Sequence, residues 1–549
     1  MWNQVYDPFN NPWLSTLAAA LPVVVMLVAL AFFHIKAHIA AALGLLTALI
    51  VAVFAYSMPA TTAISAAVFG AANGLLPIGW IVLNVIFLYQ LTERKGYFKI
   101  LQGSITTITT DRRLQLLLVA FSFGAFFEGA GGFGTPVAVT GALLIGLGFA
   151  PLAASGLSLI ANTAPVAFGA LGTPIIALAA VTGLDMMQLS GMVGRQLPLF
   201  SLIVPFWLIC AFCGFKGMRE IWPAILVAAV AFAVPQYLIS NFHGPWLVDV
   251  GAAISSMACL TLFLKVWKPV TIWTNANGKF KADGQAEIKQ EESHYTRNQV
   301  IQAWLPWLIL SILVFIWGIP EWKKYIDSFS LVKFEWPALH KMVQKMPPIV
   351  PKMSAEAAIY NLTWLSATGS GILIACVISG LLMGYKIIDL FKVYWDTIKL
   401  LKYSLLTIAT MLALGYITRY CGLDSTLGLA FAHTGVLYPF FGTLLGWLGV
   451  ALTGSDTASN VLFGGLQKAS AQQLGLNPIL MASANSSGGV MGKMIDAQSI
   501  VVAATATKWF GHEGEILRYV FWHSIALACL VGIVVTLQAY VYPFTLMVH

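Results

Sequence analysis

The residues of this 549-residue chain that could do chemistry are ionisable and amide side chains set among glycines. Glu128 stands in GAFFEGAGGFGTP and Asp456 in LTGSDTASNVLFGG. Each is an acid inside an apolar tract, where such a group is costly and faces a cavity or a partner. Lys493 and Asp496 add a cation and a third acid; three apart on a helix, they could simply neutralise each other. These four are the candidates for exchanging a proton. Around them, Gly131, Gly132, Thr135, Asn162, Thr163, Ser455, Thr457, Ser459, Asn460, Asn485, Ser486 and Ser487 gather hydroxyls, amides and backbone N–H groups where Gly and Pro interrupt the chain. Half-helix N-termini carry unpaired donors and a positive partial charge, so this second group suits a small organic anion. Packing of helices is the competing reading for any single Gly, Ser or Thr.

Other signatures fail. Gly129-x-Gly131-x-x-Gly134 spells a dinucleotide fingerprint but follows an apolar helix outside any βαβ unit. No Walker A sequence, metal-ligand spacing or hydrolytic triad occurs, so neither an enzyme nor a cofactor or metal site is expected. Cys210 and Cys213 form a CxxC within an apolar run and read as packing residues.

The elements that must position these groups follow from composition. With 59% hydrophobic and 9% charged residues and a mean hydropathy of +0.82, the chain is an integral membrane protein. Backbone in lipid must satisfy its own hydrogen bonds, so long uncharged runs mean an all-α fold. Spans are expected near 14–33, 38–56, 66–91, 197–214, 223–241, 247–264, 301–319, 366–385, 402–418 and 519–544. The net charge of +8 sits mainly in connections such as Arg94 to Arg113, Lys216 and Arg219, and loop 265–300. It reports cytoplasmic sides, with the N-terminus outside, and not a nucleic-acid partner. Loop 320–365 would be external despite six lysines, since long loops translocate largely regardless of charge.

The chain also resembles itself. Leu91-Thr92 before Gly96 matches Ile417-Thr418 before Gly422, and Leu147-Gly148 through Pro151 matches Leu474-Gly475 through Pro478, at offsets of 326 and 327. The connection 92–113 is basic where 419–434 has only Arg419, so the copies, about 66–214 and 402–546, are expected upside down. Helices 223–385 would intervene within one transmembrane domain, 1–549. Inverted repeats with broken helices point to a secondary transporter binding its solute near the midplane. Two re-entrant hairpins and a broken helix after each (151–180 and 478–507) bring the expected count to about twelve crossings, with both termini external. Arg195, and Arg419 beside Asp424, could meet a carboxylate or serve structure; His433 and His523 read as packing residues.

The blocks YDPFNNPWLS, GAFFEGAGGFGTPVAVT, LIANTAPVAFGALGTP, MVGRQLP, NLTWLSATG, LTGSDTASNVLFGGLQ and SGGVMGKMIDAQSIVVA resemble the bacterial lactate permease family over essentially the whole chain. The resemblance implies a multi-pass symporter of the bacterial inner membrane. It would import L-lactate, D-lactate, glycolate and related 2-hydroxymonocarboxylates with protons. Sodium coupling, or an anion channel, is the alternative the residues leave open. A homodimer is expected only by analogy with carriers that move one unit against a scaffold.

Overall fold

A computed structural model describes residues 1–31, 33, 35–106, 108–132, 135–274, 295–350, 352–509 and 512–548. Helices dominate, as the apolar runs require. The chain opens with α1 (Pro12–Ala31), α2 (Ala37–Ile50), α3 (Ala60–Asn73), α4 (Trp80–Arg94) and α5 (Tyr97–Thr106). The expected span 66–91 falls within one candidate span, Ala60–Arg94, but that span is kinked between α3 and α4 at Gly74–Gly79, where Leu76 leaves helical geometry (φ −130°, ψ 116°) just before Pro77. Proline disfavours helix in the residue before it, and this one falls inside the apolar run that hid the break.

A first helical hairpin follows. Its outgoing limb is α6 (Arg112–Leu116), a wide-turn segment Leu117–Phe123 and α7 (Gly124–Ala130); its return limb is α8 (Thr135–Gly146). Next come α9 (Pro151–Ala161), α10 (Gly169–Thr182) and α11 (Met186–Glu220); α11 packs against α12 (Trp222–Phe242), and α12 against α13 (Val248–Val266). The central helices are α14 (Arg297–Gly318), α15 (Pro320–Ser330) and α16 (Thr368–Leu382). Most of loop 265–300, at 275–294, lies outside the described residues.

The second half comprises α17 (Ile387–Cys421), α18 (Leu423–Ala432), α19 (Tyr438–Thr453), α20 (Asp456–Gln473), α21 (Pro478–Gly492), α22 (Ala497–Ala506) and α23 (Glu513–Tyr540). Its elements start at the spacing the sequence anchors set. Tyr97 and Leu423 open α5 and α18, and Arg112 and Tyr438 open α6 and α19, each pair 326 apart. Pro151 and Pro478 open α9 and α21, and Met186 and Glu513 open α11 and α23, each pair 327 apart. Gly96 and Gly422 both adopt positive φ (72° and 90°) at the ends of α4 and α17.

Among the described residues, nine helices are long and apolar enough to cross a membrane, or up to eleven if each of two bent pairs counts as one span. The protein is a multi-pass membrane protein; the count falls short of twelve partly because Thr368–Leu382 is a shorter apolar helix. At 1.5 Å per residue its fifteen residues reach about 22 Å, against about 30 Å of hydrocarbon.

The fold is not purely helical. Strand β1 (Trp2–Asn3) pairs in parallel with β3 (Val343–Lys345), which pairs with β4 (Ser354–Ala355), while β2 (Val332–Glu335) pairs with β5 (Ile359–Leu362). The N-terminus and loop 320–365 therefore share one side of the molecule. Glu356 ties this loop to the bundle. It accepts from the Arg419 guanidinium at 2.7 Å and from Lys345 Nζ at 2.5 Å. Burial alone would push its pKa up, but the two cations outweigh that and hold the Glu356 carboxyl below its ordinary value. Arg419 thus pairs with Glu356 and not with its near neighbour Asp424, and it also donates to the Ala180 carbonyl at the end of α10 (2.9 Å).

Arg113 corrects the charge reading as well. Counted above as a loop charge, it is fully buried, donating to Asp111 (2.8 Å), to Glu220 (2.7 Å) and to the Gly217 and Thr271 carbonyls. A guanidinium can be buried this way because its donors find acceptors in a fixed fork.

Candidate functional site

The site forms where Glu128 and Gly132 of the first hairpin, and the tip of a second one made by α19 and α20 around Gly454-Ser455, meet the break between α9 and α10. After Asn162 the chain runs through a short 3-10 turn, and Ala170, Leu171 and Gly172 take left-handed geometry (φ 44°, 56° and 79°) before α10 resumes at Thr173-Pro174. Left-handed backbone costs an L-residue about 1–2 kcal/mol, so Ala170 and Leu171 are held there by their surroundings. The α9 and α10 axes diverge by 62°. Gly169 lies against Glu128, where a Cβ would stand 2.5 Å from Oε1; Gly172 lies against Pro245, where one would stand 2.6 Å from Pro245 Cβ.

A cavity of about 170 Å³ opens here, well below the roughly 300 Å³ at which drug-sized pockets begin. Its polar wall includes Glu128 and Gly132 from the first hairpin, Thr173 from α10, Thr453, Gly454, Ser455, Asp456 and Thr457 from the second tip, and Lys493. Ser404, Thr407, Ile408 and Met411 of α17 close another side. This combination of a few polar groups with apolar walls orients a small polar solute.

The two carboxylates are set differently. Glu128 ends α7, is 4% exposed, and its Oε2 has no hydrogen-bond partner among the described residues. Asp456 opens α20 behind the capping Ser455, whose hydroxyl accepts from Ala458 N–H. Its Oδ2 accepts from Ser486 at 2.5 Å and Asn460 at 3.3 Å, leaving Oδ1 unpartnered among the described residues. Behind it runs a buried chain of amides. Asn485 donates to Asn460 (3.0 Å) and to Ser459 (3.4 Å), Gln467 donates to Asn485 (3.1 Å), and Tyr438 donates to Gln467 (2.7 Å). Such a network fixes Asp456 rigidly, each member satisfying the next.

The remaining candidates are distributed as follows. Lys493 Nζ donates to the Gly454 carbonyl (2.6 Å) and lies 3.4 Å from Asp496, which caps α22 by accepting from Ser499 N–H (2.7 Å). Asn162 is buried beside the break with both amide atoms unpartnered among the described residues, and Thr163 bonds back to Ile160. Gly131 and Gly132 turn the chain out of α7, their N–H groups returning to Phe127. Ser487 faces away, donating to Gln196 (2.6 Å). Thr135 opens α8, and its side chain lies outside the described residues, as do Phe133 and Gly134.

One expectation fails here. The run from Ser483 to Gly489 is no unwound stretch: α21 stays helical to Gly492, and the second break spans only Lys493 to Asp496. Its glycines serve two ends: Gly489 leaves room for Asp456, where a Cβ would run into Oδ1, and Gly488 is a packing residue. Gly488 and Gly492 press on the Thr443 and Trp447 carbonyls of α19, and Gly446 on the Asn485 carbonyl, so the two backbones touch. Arg195 lies elsewhere too, held by Asn241 (2.9 Å) and the Met547 carbonyl (2.9 Å). His523 accepts from Trp207 at 2.9 Å.

Two groups escaped the sequence reading. Gln467 joins the amide network through Asn485, and Asp249 sits buried beside Gly129. Asp249 falls within the expected span 247–264, and that position was the available signal.

Many apolar helices around a buried polar cavity at broken helices define a membrane transport protein. Residues 15–542 match the L-lactate permease family. The chain belongs to that family. It is 46% identical to the L-lactate permease of Escherichia coli (strain K12), with 98% of each chain covered. It is 47% identical to the glycolate permease GlcA of the same strain, again over 98% of each, and 46% identical to the L-lactate permease of Bacillus subtilis (strain 168), over 99% of each. Among solved structures, the Alcanivorax borkumensis YdaH transporter aligns over 86% of both chains at 12% identity with a TM-score of 0.42. That likeness is too slight to bear on the reading of the site.

Proposed function

We propose that the protein is a proton symporter importing L-lactate, with glycolate and D-lactate as further substrates, across the bacterial inner membrane. The observation that carries this reading is the pairing, in one small cavity, of a loosely held carboxyl, Glu128, with a rigidly held one, Asp456. Lactate is an anion at neutral pH, and a proton moving with it makes the cycle electroneutral. Glu128 takes the proton. The substrate carboxylate faces Lys493 and the first turn of α10 at Thr173, and Ser455, Thr457 and Asp456 receive its hydroxyl. An anion arriving beside a protonated Glu128 meets no repulsion, which couples the two occupancies.

The relatives' names support the substrate class, and the recurrence of elements at 326 and 327 residues supports two inverted units, 66–214 and 402–546. In this reading the hairpins are re-entrant and one unit moves against the rest, within a homodimer. The test is external pH in weakly buffered proteoliposomes at clamped voltage. Lactate, then glycolate, should alkalinise the medium without sodium; uptake that needs sodium and leaves pH constant would replace the proton by sodium.

A further inference from the structure

Asp249 is an acid that the cavity does not contain and the scheme above does not use. It lies in the first turn of α13, 1% exposed, with neither oxygen partnered among the described residues. α13 packs on α7 there so closely that a Cβ on Gly129 would stand 2.6 Å from Asp249 Cβ. The residue next to Gly129 is Glu128, whose Oε2 is also unpartnered. Three orphaned carboxyl oxygens thus sit on two touching helix ends inside an apolar bundle. A buried ion with no partner is expensive, and evolution has an apolar side chain available for either place.

The segment leading to Asp249 reaches the surface. Phe242 is exposed, His243 stacks on Phe315 and leaves Nδ1 unpartnered among the described residues, and Lys323 Nζ rests 3.7 Å over the Trp246 ring. His243 and Lys323, with Asp327 near Lys323, are the titratable groups where this segment comes to the surface, here called the mouth, and Glu128 is the charged neighbour within. The same segment braces the break, since Pro245 fills the space against Gly172.

We infer that Asp249 is the proton's way station: a proton enters beside His243, binds Asp249, and passes to Glu128, leaving Asp249 to be reloaded from the mouth while substrate occupies the cavity on the other face of α7. This rests on Glu128 carrying the coupled proton. It makes Asp249 a positioning and relay residue that never touches the substrate.

The experiment compares wild type, Asp249→Asn, Asp249→Glu and Glu128→Gln in proteoliposomes, reading lactate-driven alkalinisation against exchange of labelled for unlabelled lactate. Asp249→Asn should slow alkalinisation about a hundredfold, the order lost with a positioned acid, while exchange stays near wild type. Asp249→Glu should restore alkalinisation with a displaced pH profile. Alkalinisation at the wild-type rate in Asp249→Asn, with Glu128→Gln inactive, overturns the relay and leaves the symport reading standing. Loss of exchange in both Asp249 variants makes the residue structural and overturns it too. No alkalinisation in wild type removes both readings. Should the variants fail to fold, carbodiimide labelling of wild type decides: modification at Asp249 that falls as pH rises supports the relay, and none at any pH overturns it.

Discussion

The two hairpins start from matching positions yet end in unlike sites. In the first, the acid closes a helix: Glu128 sits at the end of α7 with a free oxygen, facing a helix unwound by three left-handed residues. In the second, the acid opens one: Asp456 starts α20, gripped by Ser486 and Asn460, and the following helix breaks only at the Lys493–Asp496 pair. Two segments whose helices start 326 and 327 residues apart have thus placed two carboxylates in one cavity with different freedom. Each keeps one unpartnered oxygen among the described residues, Oε2 of Glu128 and Oδ1 of Asp456, but it is the other oxygen of Asp456 that Ser486 and Asn460 hold in place.

The sharpest way to break this contrast is to neutralise each acid. Glu128→Gln should abolish proton-driven accumulation, down to the level of empty liposomes, while labelled-lactate exchange survives. Equal loss of accumulation and exchange would show that the two acids share one role. Asp456→Ala should act on binding. Losing the carboxylate that receives the substrate hydroxyl costs about 1–3 kcal/mol of binding, so apparent lactate affinity should fall roughly 5- to 150-fold with proton stoichiometry unchanged. Binding calorimetry on purified protein checks this.

Smaller effects test the scaffolds. Gly488→Ala would push a methyl into the Thr443 carbonyl and separate α19 from α21, at about 1–3 kcal/mol, seen as a lower melting temperature. Ala170→Gly in the first half should do the opposite, relieving about 1 kcal/mol of left-handed backbone and raising it slightly. A melting temperature lowered by Ala170→Gly would mean the methyl matters more than the backbone.

The least effect is expected from pH at the loop tie. The Glu356 carboxyl is held below its ordinary value by Arg419 and Lys345 despite burial, so its stabilisation is complete above the usual Glu pKa of about 4.3. It is lost as pH falls through the lower folded value. Melting in detergent should therefore be flat above pH ~5 and decline in more acid solution, and Glu356→Gln should flatten that decline.

Much of the site was legible without coordinates because its signals are local. Glu128, Asp456 and Lys493 stand out as charges in apolar tracts, and all three line the cavity. The break at Asn162 to Gly172 was marked by its Gly and Pro. Glycine carries two meanings, however, and in the helical run through Gly488-Gly489 the first has the packing one while the second makes room for Asp456. Nothing in the run itself tells them apart, since the deciding contacts are with Thr443 and Asp456 on other helices.

Sequence by itself determined a helical membrane protein of the lactate permease family, with acids at two helix breaks, because hydropathy and chain breaks are properties of a few neighbouring residues. Tertiary structure alone decided that Ser486 and Asn460 grip one oxygen of Asp456. It also chose Glu356 over Asp424 for Arg419 and set Asp249 against Gly129. Partners are selected by packing between segments many residues apart, and it is packing that gives a buried charge its energy.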